Sequence, residues 1–176
     1  MLFRSGRQKW YREAAEQGDA MAQKNLGTCY LNGNGAEEDP EEAVEWFRKA
    51  ADQNLKEAQF LLGYCYYKGK GIEEDPEKAV YWCKKSADQG FERVIEYLET
   101  ILEGYSSDIK DLYLKAVDGD AEAQYNLGKS YANGQGVSKS HVKAVKWYTK
   151  AAEQGLAKAQ NSLGYCYNNG LGVKQD

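Results

Sequence analysis

The pattern of apolar and polar positions along this chain repeats every 36 residues. Trp10, Trp46 and Trp82 stand 36 apart, Leu26-Gly27 returns as Leu62-Gly63, and Leu127-Gly128 returns as Leu163-Gly164. The step from Gly63 to Gly128 is 65, and so is the step from Trp82 to Trp147, one full period plus one of 29. Self-similarity at this spacing implies stacked supersecondary units and no central core. Within one period, Ala58, Leu61, Leu62, Cys65 and Tyr66 recur at helical spacing, and Ala79, Trp82, Cys83, Ser86 and Ala87 form a second helical stripe. Gly69 reads as the stop of the first helix, because glycine enters the left-handed cap at little cost. Gly71 keeps the loop tight. Asp75-Pro76 opens the second helix with a capping Asp and a first-position Pro. Asp39-Pro40 does the same one period earlier, with Glu42 completing a capping-box pattern, and Ser140 takes the cap in the fourth unit. We term the first helix type A and the second B.

The pattern predicts ten helices. A B helix over 7–17 is followed by A and B pairs near 19–32 and 40–53, 55–68 and 76–89, 91–103 and 107–118, and 120–133 and 140–154. A last A helix lies near 156–169. The expected fold is all-α, a right-handed α/α superhelical solenoid of antiparallel helix pairs. It forms one array over 1–176: a partial unit 1–18, units 19–54 and 55–90, a shortened unit 91–119, a unit 120–155, and a partial unit 156–176. Gly27, Gly63, Gly128 and Gly164 fall inside A helices, where glycine costs about 1 kcal/mol relative to alanine. Their recurrence implies close helix approach, with Ala14-Ala15, Ala50-Ala51 and Ala151-Ala152 as the expected facing surface. Trp46, Phe47, Trp147 and Tyr148 are expected to fill the space between hairpins, with Trp46 and Trp82 in the core. The third unit departs from the pattern: Glu99 replaces the glycine, Leu112 is read at the tryptophan position, and the loop shrinks to Gly104-Tyr105-Ser106-Ser107. A local change of curvature or a weak point is expected there.

Composition narrows the function classes. The chain is 42% hydrophobic and 28% charged with a formal net charge of −4, and it has no basic block. Nucleic acid is therefore not the expected partner, since phosphate binding needs a Lys/Arg stripe. No apolar run suffices to span a membrane, and Met1 to Gly6 lacks the apolar segment of a signal peptide. Cys29, Cys65 and Cys166 share one position, just before Tyr30, Tyr66 and Tyr167, and Ser130 is its fourth instance. They read as buried free thiols, with Cys83 alone on a B helix, and this suggests a reducing, cytoplasmic setting. Gly33-Asn34-Gly35, Gly69-Lys70-Gly71 and Gly134-Gln135-Gly136 lack the strand and the Gly-Lys-Ser/Thr context of phosphate loops. Glu37-Glu38-Asp39 and Glu73-Glu74-Asp75 lack calcium-loop spacing, and their Asp is needed as a cap. His141, the only histidine, has no Cys or second His near it for zinc or acid–base work. No catalytic residue, cofactor or metal ligand is expected.

Ala121 to Gly155 reads Ala-Glu-Ala-Gln-Tyr-Asn-Leu-Gly-Lys-Ser-Tyr-Ala-Asn-Gly-Gln-Gly-Val, then Lys143-Ala-Val-Lys-Trp-Tyr-Thr-Lys-Ala-Ala-Glu-Gln-Gly155. This resembles the Sel-1-like repeat, a relative of the tetratricopeptide repeat, over nearly the whole chain except the third unit. The resemblance implies A helices lining a concave face and an adaptor or scaffold role, with a protein or peptide as ligand. In tetratricopeptide geometry the groove positions would be Lys24, Thr28 and Leu31 in the first full unit and Phe60, Tyr64 and Tyr67 in the second. They would be Tyr125, Lys129 and Ala132 in the fourth, and Asn161, Tyr165 and Asn168 in the fifth. Asn133, Asn168 and Asn169 could bond a peptide backbone. Tyr66, Tyr131 and Tyr167 already hold the core position, so Phe60, Tyr64, Tyr67, Tyr125 and Tyr165 are free to anchor a ligand. Alternatively these rings pack sideways between adjacent A helices. The expected function is a non-enzymatic interaction module. One alternative is a β-lactam-binding or hydrolysing enzyme like cysteine-rich relatives, which carry a cysteine pair in each unit where this chain does not. Another is a structural spacer in a longer array. A monomer or weak end-to-end self-association is expected, because the chain starts on a B helix and ends after an A helix.

Overall fold

A computed structural model describes residues 6–35 and 37–174. Among them are ten α-helices and no strand: α1 Gly6–Glu16, α2 Ala20–Asn32, α3 Pro40–Asp52, α4 Lys56–Lys68, α5 Pro76–Asp88, α6 Arg93–Ile101, α7 Ser107–Val117, α8 Ala121–Asn133, α9 His141–Glu153 and α10 Ala157–Asn168. Every expected helix is present, and the differences lie at the ends, where helices fray. The chain forms two compact units, Met1–Ile101 and Leu102–Asp176. The boundary falls inside the shortened repeat.

The sequence punctuation has direct geometric consequences. Gly33, Gly69 and Gly134 adopt the left-handed conformation after α2, α4 and α8, and each N–H returns to a carbonyl of the last turn. Asp39, Asp75 and Ser140 each accept a backbone N–H in the first turn of the helix they open. The expected capping box at Glu42 does not close. The Asp39 N–H donates instead to the Tyr30 carbonyl, as Asp75 does to Tyr66 and Ser140 to Tyr131. With that donor already satisfied, Glu42 accepts from the Trp46 indole N–H at 2.9 Å.

A glutamine in each A helix ties neighbouring helices together. Gln23, Gln59, Gln124 and Gln160 donate to the carbonyls of Ala15, Ala51, Ala116 and Ala152 on the preceding B helix. Three of them also accept from the glutamine after the following B helix: Gln53 to Gln23 at 2.8 Å, Gln89 to Gln59 at 2.7 Å and Gln154 to Gln124 at 2.8 Å. These bonds join the start of an A helix to the C-terminal end of each flanking B helix, as antiparallel packing requires. They also satisfy a buried amide at both ends, which otherwise costs about 1–3 kcal/mol.

The mid-helix glycines do allow close approach, but toward a different surface from the one expected. A Cβ on Gly27 would lie 2.7 Å from the Phe47 ring and 3.0 Å from the Ala43 carbonyl; on Gly63, 2.6 Å from Cys83 Sγ; on Gly128, 2.7 Å from the Tyr148 ring. The facing pairs are thus Ala43/Phe47, Ala79/Cys83 and Ala144/Tyr148, each pair four residues apart on its B helix, rather than the paired alanines near the helix ends. At Gly164 nothing lies within 4 Å. Trp46 and Trp147 are core residues, whereas Trp82 is only half-buried, its ring against Tyr81 at 5.2 Å. Tyr30, Tyr66 and Tyr131 hold core positions as expected, but Tyr167 is 39% exposed. The glutamine bonds also fix the register of the shortened unit. Ala116 aligns with Ala15, Ala51 and Ala152, so exposed Asp111 occupies the tryptophan position and Leu112 the next one.

Candidate functional site

In the first unit the expected groove positions are largely engaged. Lys24 and Thr28 are half-buried, and the Thr28 hydroxyl donates to the Lys24 carbonyl at 2.9 Å. Leu31 is a correction: it is 6% exposed and belongs to the hydrophobic core, so it offers no surface to a ligand. Phe60, Tyr64 and Tyr67 on α4 are half-buried and all converge on Tyr97 of α6, with ring centroids 5.4, 6.1 and 5.5 Å away. Phe60 also meets Phe91 at 5.6 Å. These rings therefore pack sideways onto the next A helix, the alternative the sequence left open. The Tyr97 hydroxyl is buried without a hydrogen-bond partner. Burial raises its pKa, helped by the nearby Cys83, Tyr64 and Tyr67.

The second unit is different. Tyr125 lies against Tyr148 at 5.7 Å, with the ammonium groups of Lys158 and Lys129 4.9 and 5.8 Å from its ring. Lys158 also pairs with Glu122. Lys129, Asn133, Asn161 and Asn168 are exposed, and Tyr165 is 63% exposed. Asn133, Asn161, Tyr165 and Asn168 line one open cavity of about 830 Å³, together with Ala132, Gly164 and Cys166. The side chains of Asn133 and Asn161 make no hydrogen bond among the described residues. Asn169, by contrast, spends its amide on the Tyr165 carbonyl at 2.8 Å. Amides with free donor and acceptor beside an exposed phenol match the needs of an extended backbone: hydrogen-bond pairing plus one flat anchor.

The thiols with raised pKa values are poorly suited to nucleophilic chemistry. No disulfide joins the four cysteines; Cys29 is only half-buried, against the expectation, while burial pushes the Cys65 and Cys83 thiols up to about 12 and raises that of Cys166. Such thiols remain protonated near neutrality and are poor nucleophiles. Among the described residues, no group of three or more His, Cys, Asp or Glu could hold a metal ion. Likewise, no helix is long and apolar enough to cross a membrane. Two features escaped the sequence reading, the glutamine ties and Tyr97. The recurrence of Gln after Ala-x-Ala could have signalled the first; Tyr97 sits in the unit that breaks the repeat and carries no such signal.

The family model described as Sel1 repeat matches residues 8–19, 20–55, 56–91, 121–156 and 157–176, leaving out the shortened unit. A "putative sel1-like repeat-containing protein L18" of Acanthamoeba polyphaga mimivirus is 47% identical over 45 residues, 26% of this chain and 8% of that protein. Among solved structures, c5321, described as a protective antigen present in uropathogenic Escherichia coli strains and displaying an SLR fold, is 36% identical with a TM-score of 0.56. That match covers 96% of this chain and 38% of the other. A Sel1 repeat protein from Oxalobacter formigenes is 32% identical with a TM-score of 0.50, covering 96% of this chain and 75% of the other. The chain thus spans a small part of the viral relative and well under half of the Escherichia coli protein.

Proposed function

We propose that this chain, which belongs to the Sel1 repeat family, acts as a protein-interaction module that holds an extended peptide or protein segment on the A-helix face of its second unit. Sel1 repeat proteins are in general non-enzymatic interaction modules, and that sets the class. The finer reading rests on one observation: Asn133, Asn161, Tyr165 and Asn168 share an open cavity, with two unbonded amides and one exposed ring. Tyrosine is favoured at interface hot spots because it buries a large rigid area while its hydroxyl stays hydrogen-bonded. Tyr125 and Lys129 extend the same face, and Lys24, Thr28, Phe60, Tyr64 and Tyr67 offer a second, more enclosed one. The cysteine-rich enzyme reading is not favoured, because no disulfide links the cysteines and burial keeps the Cys65 and Cys83 thiols protonated. Those thiols support a reducing compartment.

The test is affinity capture with mass spectrometry, comparing the wild-type chain with an Asn161→Ala/Tyr165→Ala variant. A partner retained by the wild type and lost by the variant, at unchanged circular dichroism, is the expected outcome. Equal recovery of every partner would exclude this face.

A further inference from the structure

The sequence contains four Asn-Gly pairs: Asn32-Gly33, Asn34-Gly35, Asn133-Gly134 and Asn169-Gly170. An Asn-Gly pair carries its own chemistry. The backbone nitrogen of the glycine can attack the Cγ of the preceding side chain, because no Cβ stands in the way. The reaction needs that nitrogen stripped of its proton and turned toward the carboxamide, so a hydrogen bond from the glycine N–H opposes it. All four asparagines are exposed. Solvent access therefore does not separate them, whereas the hydrogen bonds of the following glycines do.

Three of the glycines are tied. Asn32 and Asn133 are the last residues of α2 and α8, and the N–H groups of Gly33 and Gly134 donate to the Cys29 and Ser130 carbonyls. Gly170 donates to the Tyr167 carbonyl at 3.3 Å, and the Asn169 side chain is held as well, its Nδ2 donating to the Tyr165 carbonyl at 2.8 Å. Asn34-Gly35 is different. The pair lies beyond the end of α2. Asn34 gives its backbone N–H to the Cys29 carbonyl at 2.9 Å. Among the described residues its carboxamide has no hydrogen-bond partner, and neither has the Gly35 N–H.

We propose that Asn34 is a site of spontaneous modification: in the folded chain it converts through a succinimide to isoaspartate and aspartate, while Asn32, Asn133 and Asn169 keep their amides. The Gly35 nitrogen gives its proton to solvent base and bonds to Asn34 Cγ. The Cγ–Nδ2 bond breaks, and ammonia leaves after taking a proton from water. Water then opens the succinimide ring. Breaking the bond between the Gly35 nitrogen and Cγ gives aspartate; breaking the bond to the Asn34 backbone carbonyl carbon gives isoaspartate. No oxidant or enzyme takes part. Either product adds a negative charge to a loop that continues into Glu37, Glu38 and Asp39. Isoaspartate also lengthens the main chain there by one carbon. The tie on Gly134 does the reverse, preserving the Asn133 amide that lines the cavity of the second unit. The proposal does not depend on the peptide-binding reading.

Peptide mapping by mass spectrometry tests it on the 176-residue chain. The native chain is held in mildly alkaline buffer, sampled over time and digested, with fragmentation that tells isoaspartate from aspartate. Amide loss should appear first at Asn34, about tenfold or more ahead of the other three sites, the factor that opening one hydrogen bond imposes. In urea, where the ties are gone, the four sites should convert at similar rates. Gly35→Ala should slow the loss at Asn34 and leave the other sites unchanged. Asn34→Gln, which asks nothing of the backbone, should remove the early mass gain altogether. Loss at Asn32, Asn133 or Asn169 as fast as at Asn34 in the native chain overturns the proposal. So does a native Asn34 that stays intact under conditions where the unfolded chain converts. The same preference for Asn34 in urea also overturns it, because the selectivity would then come from sequence and not from the fold.

Discussion

Phe60, Tyr64 and Tyr67 on α4 occupy the same three repeat positions as Asn161, Tyr165 and Asn168 on α10, yet the two sets live in different environments. On α4 the side chains are half-buried against Tyr97 of the next A helix. On α10 they stand in the open, around a cavity. Repeat register sets where a side chain points. Whether it is available is set by the next helix, which supplies Tyr97 to α4. An aromatic-rich face can therefore be less open to a ligand than a polar one at the same positions.

The largest expected contrast is between the rings themselves. Tyr97→Ala removes the side chain that three others pack on and should destabilise the chain by about 2–4 kcal/mol, somewhat below the value for a fully buried aromatic. Tyr165→Ala should change stability by no more than about 0.5 kcal/mol, as for exposed sites. Chemical denaturation of both variants checks this, and equal costs would break the comparison.

The glycines sharpen it. Gly128→Leu drives a side chain into the Tyr148 ring and should cost about 1–3 kcal/mol from overpacking. Gly164→Leu meets nothing and should instead gain up to about 1 kcal/mol of helix propensity. Thermal melts of the pair read the sign directly.

A smaller effect is expected from the glutamines. Gln59→Leu removes the bonds that Gln59 gives to Ala51 and Asn54 and accepts from Gln89, each of which keeps another partner, and should cost about 1–2 kcal/mol. Gln160→Leu, exposed and tied at one end only, should be near neutral.

The last expected effect appears only at alkaline pH. The folded state raises Cys65 and Cys83 from 9.0 to about 12 by burial. Raised acid groups contribute stability that is complete below the unfolded value and is lost as pH climbs toward the folded one. In the first unit that decline should run from about pH 9 to 12. Tyr148 in the second unit, raised from 10.0 to about 12, joins from a higher starting pH. A Cys65→Ala/Cys83→Ala variant should show a shallower alkaline decline, measured by denaturation midpoints across that range.

Most of the fold was legible because its determinants are local. Gly33, Asp39-Pro40 and the helical stripes act within one or two turns, so their consequences can be read from spacing. The misreadings arose where partner identity depends on packing across helices. Small residues invite close approach, so the sequence points the helix glycines at Ala50-Ala51, but the alanine that faces Gly27 is Ala43, with Phe47 beside it. Leu112 lies one residue beyond the tryptophan position, because the register of the shortened unit is set by the Gln124–Ala116 bond, which spacing alone does not reveal. At the candidate site the groove positions could be named from resemblance, but not their cover. Leu31 is sealed in the core, while Asn168, at the same repeat position on α10, is exposed.

The claim that the second unit carries the working face is tested most directly by site-specific photo-cross-linking. A benzophenone side chain is placed at residue 165 in one sample and at residue 64 in another, each presented to partners captured by the wild-type chain. Strong adducts from position 165 and few or none from position 64 are expected. Equal yields, or adducts from position 64 alone, would contradict it.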